Sequence, residues 1–199
     1  TVAFAEAAAL PMPGLTAMDL VDAVDIEEGE TVLIVGATGG VGSYATHLAA
    51  LRGARVIATA RGENEVFARE LGAAQTIDHA REDLVKSVRA AHPEGIDAII
   101  DVISDGAALD RIAGLLRQDG RLASSVFAAD IEGLARRSIQ STNVSTQPDA
   151  RRLEELSRMV DAGELSVRLE RTFPLEKAPE ALGESRAGHV RAKIVLLVD

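Results

Sequence analysis

From Thr31 onward the apolar positions gather into short runs separated by longer stretches with helical spacing. The runs cover 31–36, 54–60, 75–78, 96–101 and 120–126. Several of them are apolar throughout rather than alternating, the pattern of strands covered on both faces. Between them, 40–52, 63–72, 81–91 and 105–117 carry apolar residues at helical intervals. Strand–helix–strand repetition, punctuated by Gly53, Gly72, Gly95 and Gly120, predicts right-handed βαβ units. The fold expected is therefore α/β, a doubly wound parallel sheet of the Rossmann type. Gly53 and Gly72 also stand where helices usually stop.

After Phe127 the alternation loosens. A helix is expected over 129–136, an edge strand with polar alternation over 138–144, and a helix opened by Pro148-Asp149 that runs to Asp161 and closes at Gly163. The tail holds two strand-like pieces, 167–173 and 193–198, around a helix over 176–187. Lys193-Ile194-Val195-Leu196-Leu197-Val198 is a very apolar finish, and nothing adjacent in the sequence supplies its partner. No internal repeat or low-complexity segment is present.

The densest chemical signal is Gly36-Ala37-Thr38-Gly39-Gly40-Val41-Gly42, directly after the first strand and opening a helix. A dinucleotide pyrophosphate needs backbone N–H groups at a helix N-terminus. Gly39 and Gly40 let the chain approach the phosphates, and Gly42 lets the helix pack on the strand. Thr38, Gly39, Gly40, Val41 and Gly42 are thus candidate cofactor contacts. No Gly-Lys-Ser/Thr follows, which excludes a P-loop. The second strand ends Thr59-Ala60-Arg61-Gly62 without a carboxylate, and Arg61 is placed to fork onto a 2′-phosphate. That favours NADP(H). Glu63 argues the other way, and Arg61 could instead be a solvated surface residue. The nicotinamide belongs outside the carboxyl ends of the first and fourth strands. This brings in Val102 with Ile103 and Ser104, and the loop Ser124-Ser125-Val126-Phe127. Asp101 is either a charge near the cofactor or a cap for the loop and helix that follow.

The chain has 199 residues, 47% of them hydrophobic, enough for one sizeable core. Its formal net charge of −10 argues against a nucleic-acid or anionic-membrane surface, since both are held by clustered Lys and Arg. An anionic ligand must then be met locally, by backbone amides and a few arginines. No run approaches the roughly 20 apolar residues of a membrane helix, and Thr1–Glu6 do not read as a signal peptide. With no cysteine there is neither a disulfide framework nor a thiolate metal site. A cytoplasmic location is the expectation. The chain does not begin with Met, which hints at a piece of something longer.

The lead Ala7-Ala8-Ala9-Leu10-Pro11-Met12-Pro13-Gly14-Leu15-Thr16-Ala17, then Gly29-Glu30-Thr31-Val32-Leu33-Ile34 and the glycine turn, resembles the medium-chain dehydrogenase/reductase superfamily. Within it the chain is most similar to the zinc-independent quinone oxidoreductase (zeta-crystallin-like) branch. Glu70-Leu71-Gly72-Ala73, Thr76-Ile77-Asp78-His79, Gly95–Asp101, Asp119-Gly120-Arg121-Leu122, Phe173-Pro174-Leu175-Glu176 and Gly188–Val195 continue the likeness over essentially the whole chain.

The resemblance implies hydride transfer from NADPH to a quinone, an enone or a related carbonyl compound. It implies a substrate domain preceding this segment, with residues 12–165 as the cofactor domain and 1–11 and 166–199 as flanks that belong to or contact that domain. The tail strands would complete its barrel. Zinc-dependent relatives carry Cys where this chain has Met12, so no metal is expected, and His47, His79, His92 and His189 show no ligand spacing. His79 stands where the family often has Tyr, near the adenosine phosphate. The family usually offers Lys or Ser near 61–65, where this chain has Arg61 and Asn64. Tyr44 has no Lys four residues on and is read as packing. A homodimer through the edge strand near 139–144 is also implied. No catalytic side chain is assigned. The alternative to an enzyme is an NADP(H)-binding redox sensor, although such regulators usually start at the glycine-turn strand.

Overall fold

The computed structural model describes residues 3–188 and 190–198, so His189 lies outside the described residues. Helices α1 (Phe4–Ala9) and α2 (Pro11–Ala23) come first, followed by β1 (Thr31–Val35), α3 (Gly40–Leu51), β2 (Arg55–Thr59), α4 (Glu65–Glu70) and β3 (Gln75–Ile77). Then come α5 (Leu84–Ala91), β4 (Ile96–Asp101), α6 (Gly106–Ala113), β5 (Leu116–Ser124), α7 (Ile131–Ala135), β6 (Gln140–Asn143) and α8 (Ala150–Asp161). The tail is β7 (Leu169–Pro174), α9 (Ala178–Arg186) and β8 (Lys193–Leu197).

Six strands form one parallel sheet in the order β3-β2-β1-β4-β5-β6. The expected doubly wound α/β fold is what the chain adopts. Successive strand residues point to opposite faces, and here both faces are covered. Ile34, Ala58 and Ile100, side by side in register, face a core shared with α2, α3 and α8. Leu33, Ile57 and Ile99 face a second core built with α5, α6 and α7. This is why the strand runs are apolar without alternation. Each such fully buried Leu or Ile contributes about 1.5–3 kcal/mol.

Three local expectations need correction. The helix expected over 105–117 stops at Ala113, and β5 begins at Leu116. Leu115 and Leu116 continue the helical spacing, but the carbonyl of Leu115 accepts the Ile96 N–H at 2.9 Å, which recruits the segment to the sheet. The register then slips, with Leu116 opposite Ile96 but Arg121 opposite Ala98. The lead, to which no element was assigned, is helical. Pro11 sits in the first turn of α2, where its missing N–H costs nothing, and Leu15, Met18, Leu20 and Val21 are buried in the first core. Finally, the apolar terminus does have a partner within the chain: β8 pairs in parallel with β7, and Val195 is buried. Leu196, Leu197 and Val198 stay exposed.

The strands start at an end stitched by ions. Glu30 meets Arg121, both side chains about 15% exposed or less, and Arg121 also donates to the carbonyl of Asp25 at 2.7 Å. Asp97 accepts the Thr31 N–H at 2.7 Å and Nε of Arg117 at 2.5 Å. Burial works to raise the Asp97 carboxyl, but these donors outweigh it and leave the group below the usual carboxylate range.

Candidate functional site

The strand order reverses between β1 and β4, and a crevice outside their carboxyl ends is where open α/β sheets bind ligands. The Val102 N–H reaches the carbonyl of Val35 at 3.2 Å, which closes the floor of the crevice. Gly36 has φ +85°, and a Cβ there would fall 2.7 Å from Cγ2 of Val102. Thr59, buried at the end of β2, accepts the Gly36 N–H at 2.9 Å, so β2 also holds the start of the turn.

The glycines of the turn do different work. A Cβ on Gly42 would lie 2.0 Å from the Gly36 carbonyl oxygen, so this glycine is demanded by helix-on-strand packing. Gly40 faces the tail: its Cβ would meet Cδ of Lys193 at 2.8 Å and the carbonyl oxygen of Ala192 at 3.3 Å. Gly39, the N-cap of α3, has φ −79°, open to any residue, and a Cβ would meet only the Gly36 oxygen at 3.5 Å. Neither backbone nor neighbours require glycine at 39. It leaves room in front of the first turn of α3, whose amides have no carbonyl partner inside the helix.

Thr38, Gly39, Arg61 and His79 line one pocket of about 150 Å³, together with Glu63 and Asn64. The acid that argues against NADP(H) therefore stands in the same pocket as the cation that argues for it. Asp78 accepts the Gly62 N–H at 3.0 Å and steadies the exit from β2. A neighbouring cleft of about 450 Å³ runs from Gly39 and Gly40 past Ile103 to Ala192, Lys193 and Leu196.

The structure places Val102 against Gly36. Ser125 is half-buried and Val126 exposed on the adjoining loop, and the Ser125 N–H donates to the carbonyl of Asp101 at 3.1 Å. Ser124 has no exposed surface, and its hydroxyl is engaged by Asp101 at 3.2 Å. Of the sequence-derived candidates, the turn, Arg61 and His79 thus share one crevice, Val41 is half-buried on the first turn of α3, and Ser124 stands behind the surface.

Sequence reasoning missed the tail. The Ala192 N–H donates to the carbonyl of Thr38 at 2.9 Å, with Ala192 at φ +50°, so the segment before β8 is latched across the glycine turn. Its only trace in the sequence is the tract Gly188–Val195, which spacing alone does not assign to the site. Tyr44 is buried in the first core, its hydroxyl 3.4 Å from the Ala9 carbonyl, and burial pushes its phenol well above the usual range.

Comparisons with known proteins follow the same outline. The model of the zinc-binding dehydrogenase family matches residues 71–196, more than half of the chain. A chloroplast envelope quinone oxidoreductase homolog of Arabidopsis thaliana is 28% identical over 98% of this chain and 62% of its own length. The quinone oxidoreductase from Coxiella burnetii superposes with a TM-score of 0.91 and 31% identity, over 100% of this chain and 62% of that one. A mycobacterial protein complexed with NADPH superposes at 0.86 with 26% identity, over 98% of this chain and 65% of its own. The chain spans a little under two thirds of the length of these relatives. With the glycine turn, the strand order and the latched tail all in place, the chain belongs to the zinc-binding dehydrogenase family of the medium-chain dehydrogenase/reductase superfamily and carries that superfamily's Rossmann cofactor fold.

Proposed function

We propose that this chain is the NADP(H)-binding part of an oxidoreductase that passes hydride from NADPH to a quinone, an enone or a related carbonyl compound. The observation that carries the cofactor reading is Gly39, a glycine that the protein's own geometry does not need, at the mouth of a helix with open amides. The substrate class rests on the relatives named as quinone oxidoreductases.

In this reading the amides of Gly40, Val41 and Gly42 meet the pyrophosphate, and the positive end of the α3 dipole favours its charge. Lys193, whose Nζ lies 3.6 Å from the Cβ position of Gly40, adds a counter-charge from the tail. Arg61, with Thr38 and His79 beside it, takes the 2′-phosphate. Val102, Ser125 and Val126 border the ring. The bound coenzyme supplies the hydride, and this chain supplies its orientation. No proton donor is assigned among its side chains. The family's description names zinc; we nevertheless read the chemistry as zinc-independent, on the resemblance in which Met12 stands where zinc-dependent relatives carry Cys.

Residues 12–165 make the cofactor domain in this proposal, and the flanks meet the rest of the protein. The packing of α1 on β7 and β8 supports grouping those flanks. The outer edge of β6, unpaired among the described residues, suits a second copy of the chain. No described helix is long and apolar enough to cross a membrane.

Titration calorimetry with NADPH and NADH tests the cofactor assignment. NADPH is expected to bind at least about tenfold more tightly, the yield of one charge-assisted contact. Gly39→Ala should weaken NADPH about tenfold or more while leaving the thermal midpoint in place. Equal weak binding of both nucleotides, or none, removes the assignment.

A further inference from the structure

Behind the ring end of the crevice lies a carboxylate that the cofactor reading does not use. Asp101 closes β4 with no exposed surface. Among the described residues it has no cationic partner. Its Oδ1 accepts the Ser104 N–H at 3.1 Å, and its Oδ2 accepts the Ser124 hydroxyl at 3.2 Å. Ser124 in turn accepts the Val126 N–H at 3.3 Å. The far side of that loop is held by Asn143 on β6, whose side chain accepts the Ala129 N–H at 3.1 Å and donates to the Ala129 carbonyl at 3.0 Å. One carboxylate thus joins the loop that carries Val102 and Ile103 to the loop that carries Ser125 and Val126.

The donor–acceptor sequence explains why the residue is Asp. Ser124 accepts from Val126, so its own proton must go to Asp101. The Ser104 amide also donates, so both oxygens at 101 must accept. An Asn would turn an NH₂ toward one of these donors. A buried polar atom without a partner costs free energy, so the loops would separate or rotate to find other partners.

We propose that Asp101 is the positioning residue for the nicotinamide half of the coenzyme, acting through Ser104 and Ser124 to set the two loops that border the ring. This rests on the cofactor reading above. It sets Asp101 apart from Arg61 and the glycine turn, which serve the adenosine and pyrophosphate.

The test uses the whole chain, with NADPH and the fragment 2′,5′-ADP, which lacks the ring, as probes. In Asp101→Asn, NADPH affinity is expected to fall about tenfold, while 2′,5′-ADP, whose pocket Ile103 also lines, loses no more than about threefold. Wild type is expected to shift the emission of the reduced ring on binding, and Asp101→Asn to lose that shift. Ser124→Ala should move the same two readouts in the same direction. Asp101→Asn/Ser124→Ala should be no worse than the weaker single variant, because both cut one link. If Asp101→Asn does not fold, Ser124→Ala decides on the same measurements. Parallel loss of both probes, or no change in either, overturns the positioning role. A wild-type chain that binds neither probe instead overturns the cofactor reading itself.

Discussion

The two ends of the central sheet are built on opposite principles. Where the strands begin, Glu30, Asp97, Arg117 and Arg121 neutralise one another, and the backbone of Thr31 and Asp25 is drawn into the same network. Where they finish, the buried groups are amides, hydroxyls and one carboxylate, and Arg61 and Lys193 flank the opening. The first end answers its own charges. The second leaves Arg61, with Glu63 beside it, and Lys193 at the opening of a chain whose net charge is −10. The difference separates residues that hold the sheet together from residues available to a ligand, and each class should fail in its own assay.

The largest effect is expected at the point where the two roles meet. Gly42→Val places a side chain into space 2.0 Å from the Gly36 oxygen. Either α3 must leave the sheet or the turn must open, at a cost of about 3–4 kcal/mol. Urea unfolding should show the loss, with NADPH binding lost alongside. A stable Gly42→Val chain would mean that helix and strand are less tightly apposed than the geometry requires.

Arg121→Ala should come next, and it should break only the beginning of the strands. It removes the nearer of Glu30's two arginine partners, leaving Arg117 at 3.6 Å, while the carboxylate stays largely covered, and about 2 kcal/mol of stability should go with it. NADPH affinity should not move. An affinity loss as large as the stability loss would erase the distinction between the two ends.

Arg61→Ser is the converse and smaller. NADPH affinity should drop by about 1.5–2 kcal/mol, roughly tenfold to thirtyfold, with NADH nearly unchanged. Unfolding by urea should change by no more than about 1 kcal/mol, since Arg61 is only half-buried. Should Glu63 take the ribose hydroxyls instead, wild type would already prefer NADH and Arg61→Ser would leave that preference alone.

How much of this was legible beforehand differs between the two ends for a physical reason. Strands such as Thr31–Val35 announce themselves because a parallel strand buries both faces, and the glycine turn does so because the close approach of Gly42 to Gly36, which demands glycine, lies within seven consecutive residues. Leu115-Leu116 were misread because their spacing suits a helix as well as a strand, and only the Ile96 amide decides. Pro11, Pro13 and Gly14 are poor helix formers, so the lead shows no clear helical signal until the buried face of α2 is seen. The latch from Ala192 to Thr38 and the link from Asp101 to Ser124 join residues far apart in the chain. Local pattern holds no record of such pairs. The reading of Asp101 as a cap for the loop at Ser104 matches its bond to that amide, whereas its bond to Ser124 could not be read from the sequence.

The smallest effect concerns α3 between the two ends. His47 is half-buried there, and its Nδ1 has no hydrogen-bond partner among the described residues. Burial, and then the nearby Arg168, hold its imidazole below the ordinary value of 6.5. The unfolded chain then binds a proton that the folded chain refuses, so this group's contribution to stability is whole above about pH 6.5 and is lost as pH falls. Unfolding free energy should decrease between pH 7.5 and 5.5 by less than about 1 kcal/mol from this source. That window lies above the range in which Asp97 and Asp22, both held below the usual carboxylate range, take up protons. His47→Leu removes the unpaired nitrogen along with the titration, so the variant should match or exceed wild type at pH 7.5 and show a flatter profile. An unchanged slope in His47→Leu would assign the pH response to other groups and leave α3 an inert spacer between the clamped and the open end of the sheet.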